Sequence, residues 1–264
     1  MRIVTWNVNS INCRLDHICT LVDQLSPEII LLQEIKTPAE RFPQSLLFDK
    51  GYNCAVNGQK SYNGVAVLSK SPISDVKTAF CDQYCAEARY IECITGRLRV
   101  ASIYVPNGRE VGSSYYGLKL GFMEQLSAYL EREAASDEYF VIGGDFNIAL
   151  NDNDVWNPAA FEGQLLFTEA ERSSLKKIKQ AGLADALGVS DQSICDKKSN
   201  DDCDKFTWWD YRAGSFDKNH GVRLDYVFLS ALAAKCLTQT EVLRNFRALL
   251  RPSDHAPVMT ELNI

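Results

Sequence analysis

Polar residues stand at the ends of apolar runs along this sequence. Asn7 follows "RIVTW", Glu34 follows "IILLQ", and Tyr104 and Asn107 follow "VASI". Asp145 and Asn147 follow "FVIGG", Asp225 lies inside "VRLDYVFL", and Asp254 and His255 precede "APVMTEL". Taken singly, each is a turn residue, a half-buried strand aromatic or a paired structural charge. Taken together, carboxylates, carboxamides, a phenol and one histidine are what divalent-metal chemistry on phosphate requires. Mg²⁺ prefers oxygen ligands, keeps several waters and uses one or two carboxylates beside the substrate phosphate. Phosphodiester hydrolysis then needs a water activator, a charge stabiliser and in-line positioning. No Gly-rich phosphate loop of the P-loop type occurs, which argues against nucleotide-driven transfer.

The elements that must position these residues follow from the hydrophobic pattern. "RIVTWNV" (2–8), "EIILLQE" (28–34), "VAVLS" (65–69), "YIECI" (90–94), "RVASIYV" (99–105), "YFVIGG" (139–144), "RLDYVFLS" (223–230) and "PVMTELNI" (257–264) read as strands. Ile11, Leu15, Ile18, Val22 and Leu25 repeat at helical spacing, as do Leu118, Phe122, Leu126 and Tyr129. Thr168 with Glu171 forms a capping box ahead of a helix carrying Leu175 and Ile178. Strands and helices interleave, but the strands follow one another too often for an all-parallel sheet. A mixed α/β layered fold is expected. "CDKKSNDDCDK" (195–205) reads as a solvated loop.

The 264 residues, 46% of them hydrophobic, suit one globular domain over 1–264. No leader peptide and no membrane-length apolar run is read, so a cytoplasmic protein is expected. The nine cysteines are scattered without a CxxC pair and are expected as reduced thiols. A formal net charge of −6 argues, by itself, against a nucleic-acid partner. A cluster of metal-binding carboxylates would lower the total while leaving a basic face elsewhere.

"WNVN", "LLQEIK", "YVPNG", "GGDFN", "WWDYR", "GVRLDY" and "SDHAP" occur in this order from residue 2 to about residue 260. The series resembles the exonuclease III family of abasic-site endonucleases, within the endonuclease/exonuclease/phosphatase superfamily. The resemblance implies a four-layer α/β sandwich: two packed mixed β-sheets flanked by helices, with the site at one end of the sheets. It implies Mg²⁺ as cofactor, with Mn²⁺ as an alternative. The implied partner is double-stranded DNA with abasic or 3′-blocked sites, bound by a monomer.

Roles carry over by position. Glu34 resembles the principal metal ligand, Asn7 the residue that positions it, and Asp254 a second metal-binding carboxylate. Asp145 resembles the carboxylate that orients or deprotonates the attacking water, with Asn147 its partner at the phosphate. His255 resembles the phosphate-contacting histidine and Asp225 its orienting carboxylate. Tyr104 and Asn107 resemble phosphate contacts, Tyr104 also assisting the nucleophile or leaving group. Lys36 matches a lysine beside the metal site, and Arg109 is the expected DNA contact of the "PNGREVG" loop. Arg41, Lys60, Lys119, Arg212, Lys218 and Arg223 are further candidates for a DNA-facing surface. Trp208 and Trp209 match the aromatic wall that receives a base-less sugar, Trp208 lining the pocket and Trp209 being partly structural. Ser10, Ile35 and Val222 depart from the family pattern, and Val222 bears on pocket width.

The implied function is cleavage of DNA on the 5′ side of abasic sites, with 3′-repair phosphodiesterase and 3′→5′ exonuclease activity. Two alternatives compete with it. One is another phosphodiesterase or phosphatase of the superfamily, against which "WWDYR" weighs. The other is a catalytically inactive DNA-binding module, against which the intact set of Glu34, Asp145, Asn147, Asp225 and His255 weighs.

Overall fold

The central strands are apolar on both faces, so each sheet has to be covered twice. In β1 (Arg2–Asn7), Ile3 joins the core between the sheets, while Val4 and Trp6 point to the other side. β2 (Ile29–Gln33) and β4 (Val65–Ser69) repeat this alternation beside β3 (Asn53–Asn57). With β11 (Leu237–Val242) and β12 (Val258–Leu262) they make a six-stranded sheet ordered β11-β12-β1-β2-β4-β3. The other strands are β5 (Ile73–Lys77), β6 (Tyr90–Thr95), β7 (Leu98–Tyr104), β8 (Tyr139–Asp145), β9 (Ala184–Asp185) and β10 (Asp225–Leu229). They form a second six-stranded sheet ordered β5-β6-β7-β8-β10-β9. This computed structural model describes residues 1–133, 138–189 and 205–264. Of the polar 195–205 segment expected as a loop, only Lys205 lies within the described residues.

Helices complete the four layers. α1 (Ile11–Leu25) and α2 (Gln44–Asp49) cover the first sheet through Ile11, Ile18, Leu21, Val22 and Leu47. α3 (Ser114–Glu133) and, after the one-turn α4 (Pro158–Phe161), α5 (Glu169–Gln180) cover the second, α3 through Phe122, Leu126 and Leu130 and α5 through Leu175 and Ile178. The expected capping box is present: Glu171 N donates to Thr168 Oγ1 at 3.2 Å, and Thr168 N donates back to Glu171 Oε2 at 3.0 Å. The described cysteines Cys13, Cys19, Cys54, Cys81, Cys85, Cys93 and Cys236 are free thiols.

Four strands were not legible in the sequence: β3, β5, β9 and β11. They are the four sheet edges. An edge strand packs on fewer neighbours, keeps polar residues that deter further pairing, and so loses the apolar alternation.

Topology brings the strand ends together. β1 and β2 are parallel, with Asn7 opposite Gln33, and β7 and β8 are parallel, with Tyr104 opposite Asp145. β10 runs antiparallel to β8 and begins at Asp225, opposite Asp145. β12 runs antiparallel to β1 and begins just after His255. The exits of four strands and the entries of two thus meet at one end of the sandwich.

Two glycines before Asp145 make this approach possible. A Cβ on Gly144 would lie 1.9 Å from the Ile103 carbonyl oxygen, on the paired strand. A Cβ on Gly143 would meet the Leu31 side chain at 2.9 Å, across the sheet interface. The first neighbour is backbone and cannot turn aside; the second is a flexible side chain. Gly144→Ala should therefore cost roughly 3 kcal/mol or more, and Gly143→Ala less, as read from urea denaturation midpoints. Equal effects of the two substitutions would contradict this account of β8.

Candidate active site

The site starts at Glu34, just beyond β2. Its backbone is left-handed (φ 49), as are those of Lys36 (φ 52), Asn9 (φ 44) and Asn147 (φ 52). Non-glycine residues seldom adopt this region, and the surrounding structure must hold them there. Backbone hydrogen bonds do so: Ser10 N donates to the Glu34 carbonyl at 2.7 Å, and Lys36 N to that of Asn63 at 2.9 Å.

Asn7 links the two halves of the site. Its Nδ2 donates to Glu34 Oε1 at 2.9 Å and to Asp145 Oδ2 at 2.9 Å. Lys36 Nζ pairs with Glu34 Oε2 at 2.8 Å and donates to Asn9 Oδ1 at 2.6 Å. The Tyr104 phenol faces the same carboxylate, with Asp145 as its next negative neighbour. Burial, and then the negative charges of Glu34 and Asp145, hold that phenol well above its ordinary pKa, so it remains protonated and acts as a donor.

Asp145 is buried, and its Oδ1 accepts from Asn147 N at 2.8 Å. Asn147 Nδ2 donates to the Val105 carbonyl at 2.9 Å, and Asn147 Oδ1 accepts from Asn107 Nδ2 at 3.1 Å. The opposite wall is a buried pair, with His255 Nδ1 2.7 Å from Asp225 Oδ2. The far ring nitrogen, Nε2, lies 3.7 Å from Asp145 Oδ2. Burial alone would lower the His255 pKa, but Asp225 and then Asp145 outweigh it and raise it to about 10. Burial is also the largest influence on Asp145. It lifts the carboxyl to about 7 against the pull of His255, with Asp225 and Glu34 adding in the same direction. At neutral pH this places an imidazolium beside a carboxyl poised to gain or lose a proton.

Asp254 joins through a different neighbour. Its Oδ1 accepts from Asn9 Nδ2 at 2.9 Å and its Oδ2 from the Trp208 indole at 3.0 Å. Burial opposes ionisation, yet His255 and these two donors keep its pKa below the ordinary value. The oxygens of Glu34, Asp145, Asp225 and Asp254 suit a hard cation. Asp225 Oδ1 is buried with no hydrogen-bond partner among the described residues, an orphan acceptor that a bound cation would satisfy. One ligand atom from each of Asp145, Asp225 and His255 lies within 4.8 Å of the others.

The fold therefore brings together Asn7, Glu34, Lys36, Tyr104, Asn107, Asp145, Asn147, Asp225, Asp254, His255 and Trp208. Arg109 joins only through its backbone, its N donating to Asn107 Oδ1 at 3.2 Å; its side chain is exposed, with the guanidinium 3.6 Å above the Tyr115 ring centre. Trp209, expected to be partly structural, is wholly so and does not line the cleft. It is fully buried, packed edge-on to Phe216, with its indole donating to Asn219 Oδ1 at 3.2 Å. Val222 is fully buried as well and bridges to Trp208 through the backbone.

Two basic residues expected on a DNA-facing surface are buried instead. Arg223 pairs with Asp185 at 2.5 Å and with Asp154 at 3.7 Å. Lys119 forms an ion pair with Glu171 and donates to the carbonyls of Asn147 at 2.7 Å and Asn107 at 3.2 Å. It ties the two loops that carry those carboxamides to α5. Asn9 is the residue that sequence reasoning passed over. Its signal was present in "WNVN", as a second carboxamide two residues beyond the first.

A two-sheet sandwich with buried carboxylates, carboxamides and a charged histidine at one end defines a metal-assisted phosphoester hydrolase. Comparison with known proteins agrees. Residues 4–255 match the Endonuclease/Exonuclease/phosphatase family, and the chain belongs to it. It is 30% identical to an exodeoxyribonuclease III of Haemophilus influenzae, over 99% of both chains. It also resembles the solved 3′-5′ exonuclease NExo of Neisseria meningitidis, with 33% identity, a TM-score of 0.92 and full coverage of both chains. An AP endonuclease from Archaeoglobus fulgidus gives 29% identity and a TM-score of 0.91, again over the whole of both chains. The chain is a hydrolytic nuclease of the exodeoxyribonuclease III and AP endonuclease type. No described helix is long and apolar enough to cross a membrane.

Two outcomes test this geometry. Because the His255 pKa is raised in the fold, its contribution to stability is complete below the ordinary value of 6.5 and is lost as pH rises through about 10. Asp225→Asn should therefore depress the melting temperature most below pH 6.5, and progressively less up to about pH 10. A pH-independent deficit would contradict the ion pair. Lys119→Met strands Glu171 as a buried charge and should cost about 3–5 kcal/mol. Adding Glu171→Gln should recover part of that loss in chemical denaturation.

Proposed function

We propose that this nuclease cleaves DNA on the 5′ side of abasic sites and also trims blocked 3′ ends, with Mg²⁺ as its ion and Mn²⁺ as a substitute. The observation that carries this reading is the buried line Asp225–His255–Asp145, closed by Asn147 and Asn107. It supplies a charge stabiliser, a proton acceptor and an amide donor at one end of the sheets.

In this reading His255, held as imidazolium by Asp225, donates a hydrogen bond from Nε2 to a non-bridging phosphate oxygen. Asn107, oriented by its bond to Asn147 Oδ1, donates its remaining amide proton to the same phosphate, as does the protonated Tyr104. Asp145 accepts a proton from the attacking water. The water oxygen bonds to phosphorus, the bond to the 3′ oxygen breaks on the opposite side, and that oxygen takes a proton from solvent. A 3′ hydroxyl and a 5′ phosphate bearing the base-less sugar remain. Glu34, positioned by Asn7 and Lys36, would hold the cation with Asp254 nearby. When bound, the ion offsets the negative charge that builds on phosphate and leaving oxygen. Trp208, fixed through its indole to Asp254, would wall the pocket for the extruded sugar. A sugar without its base has less stacking to lose, and extrusion is cheaper.

A second emphasis has support of its own. The Neisseria relative is described both as a 3′-5′ exonuclease and, bound to a product DNA hairpin, as a 3′ phosphatase, at 32% identity and a TM-score of 0.92. End processing in place of internal cutting is the alternative that this favours.

A duplex with one internal tetrahydrofuran abasic analogue and a nicked duplex ending in 3′ phosphate separate the two. With Mg²⁺, both should react; with EDTA, neither should. Reaction of the nicked duplex alone would remove the abasic-site reading. Glu34→Ala should lower kcat/KM by at least about a hundredfold, or roughly 2.7 kcal/mol, while the melting temperature holds. Near-normal cleavage by this variant at low Mg²⁺ would overturn the metal assignment.

A further inference from the structure

Beyond the catalytic cluster, the surface carries an aromatic pair that the reaction does not use. The Trp156 and His220 rings lie parallel, with centroids 3.7 Å apart and planes 8° apart. Trp156 is 40% exposed, so part of its ring meets solvent. Both partners are firmly mounted. Val155 is buried and bridges to Val222, and Trp156 N donates to the Gly221 carbonyl at 3.1 Å. His220 lies between Asn219, which accepts from the buried Trp209 indole, and Gly221, where a Cβ would lie 2.5 Å from that indole nitrogen. The neighbouring acids are paired: Asp152 with Arg172 at 3.2 Å and Asp154 with Arg223 at 3.7 Å.

The same backbone bridges lead to the catalytic histidine. Val155 pairs with Val222, Val222 with Trp208, and Trp208 with His255. Three inter-strand steps span about 14 Å, equal to the rise of roughly four nucleotides along the axis of a duplex. At that distance a rigid, uncharged aromatic face is suited to stacking on a base. Bases inside a duplex are already stacked on each other, so the ligand for this face is an unpaired one.

We propose that Trp156, backed by His220, is a stacking subsite for an unpaired nucleobase about four nucleotides from the reacting phosphate. The proposal rests on the nucleic-acid reading above and adds a substrate preference to it: DNA with a gap or frayed segment at that distance. The preorganised stack limits the entropy lost when a base settles on it.

Binding measured without cleavage separates this idea from the activity itself. The probes are fluorescein-labelled duplexes with one tetrahydrofuran site, in EDTA. One is fully paired; two others carry a short unpaired segment centred about four nucleotides to either side of the analogue. Wild-type protein should bind one of the unpaired probes roughly tenfold more tightly than the paired one, within the range found for base–aromatic stacking. Trp156→Ala should bring that ratio close to one, while Trp156→Phe should keep most of it. Melting temperatures of both variants report whether they fold. No preference in the wild type, or an equal preference in Trp156→Ala, would overturn the subsite. Adding Mg²⁺ to the same mixtures reads cleavage separately, so failure of the catalytic reading leaves the binding result intact.

Discussion

Four carboxylates at one end of a sandwich are the constraint to which the rest of the site answers. Glu34, Asp145, Asp225 and Asp254 repel one another, and burial removes the water that would screen them. Each has its own donor: Lys36 and Asn7 at Glu34, Asn7 and Asn147 at Asp145, His255 at Asp225, and Asn9 and Trp208 at Asp254. Most of these donors are neutral amides or an indole. They hold the carboxylates in place without cancelling the negative field that attracts a cation. The one fully buried cation in the group, His255, faces Asp225 and Asp145 and keeps its proton because of them.

Holding such a cluster requires strands that do not slip. Between the sheets, Gln33 Nε2 donates to Thr5 Oγ1 at 3.0 Å and to Ser102 Oγ at 2.9 Å, and Ser102 Oγ donates to the Leu32 carbonyl at 2.8 Å. This small polar group lies one residue behind Glu34 and two behind Tyr104. In a buried interface its satisfied bonds favour one register over its neighbours. Lys119 does the same for the loops, since its ammonium can satisfy the Asn107 and Asn147 carbonyls together only if both loops are in place. The Gly143–Gly144 pair lets β8 pass close enough for these contacts to form.

Aromatic and acidic groups at this end of the molecule are physically linked. The Trp208 indole is bound to Asp254, and its backbone bridges to His255 and Val222. A displacement of Trp208 would therefore be felt at Asp254 and at His255. The same bridges continue to Val155 and the Trp156–His220 stack. One irregular ribbon of backbone bridges thus joins the Asp254–His255 corner to that stack.

Much of this is legible in the sequence alone. Strand and helix periodicity follows from burial on one or two faces, so the central strands, α1, α3 and α5 could be read from apolar spacing alone. Glu34, Asp145, Asn147 and His255 could be read because a polar residue ending an apolar strand is costly unless something uses it. The edge strands β3, β5, β9 and β11 could not, because their exposed sides carry no apolar signal. The fates of the two tryptophans and of Lys119 and Arg223 were also hidden. Adjacent residues on an irregular strand face opposite ways, and nothing local in "WWDYR" says which ring turns inward. A long basic side chain reads as surface unless its partners are known, and those of Lys119 and Arg223 come from Glu171, Asp185 and Asp154, dozens of residues away. Residue types and strand ends are local properties that the chain carries in order. Burial, pairing and the direction of a ring depend on contacts between distant segments, and only the tertiary structure decides them.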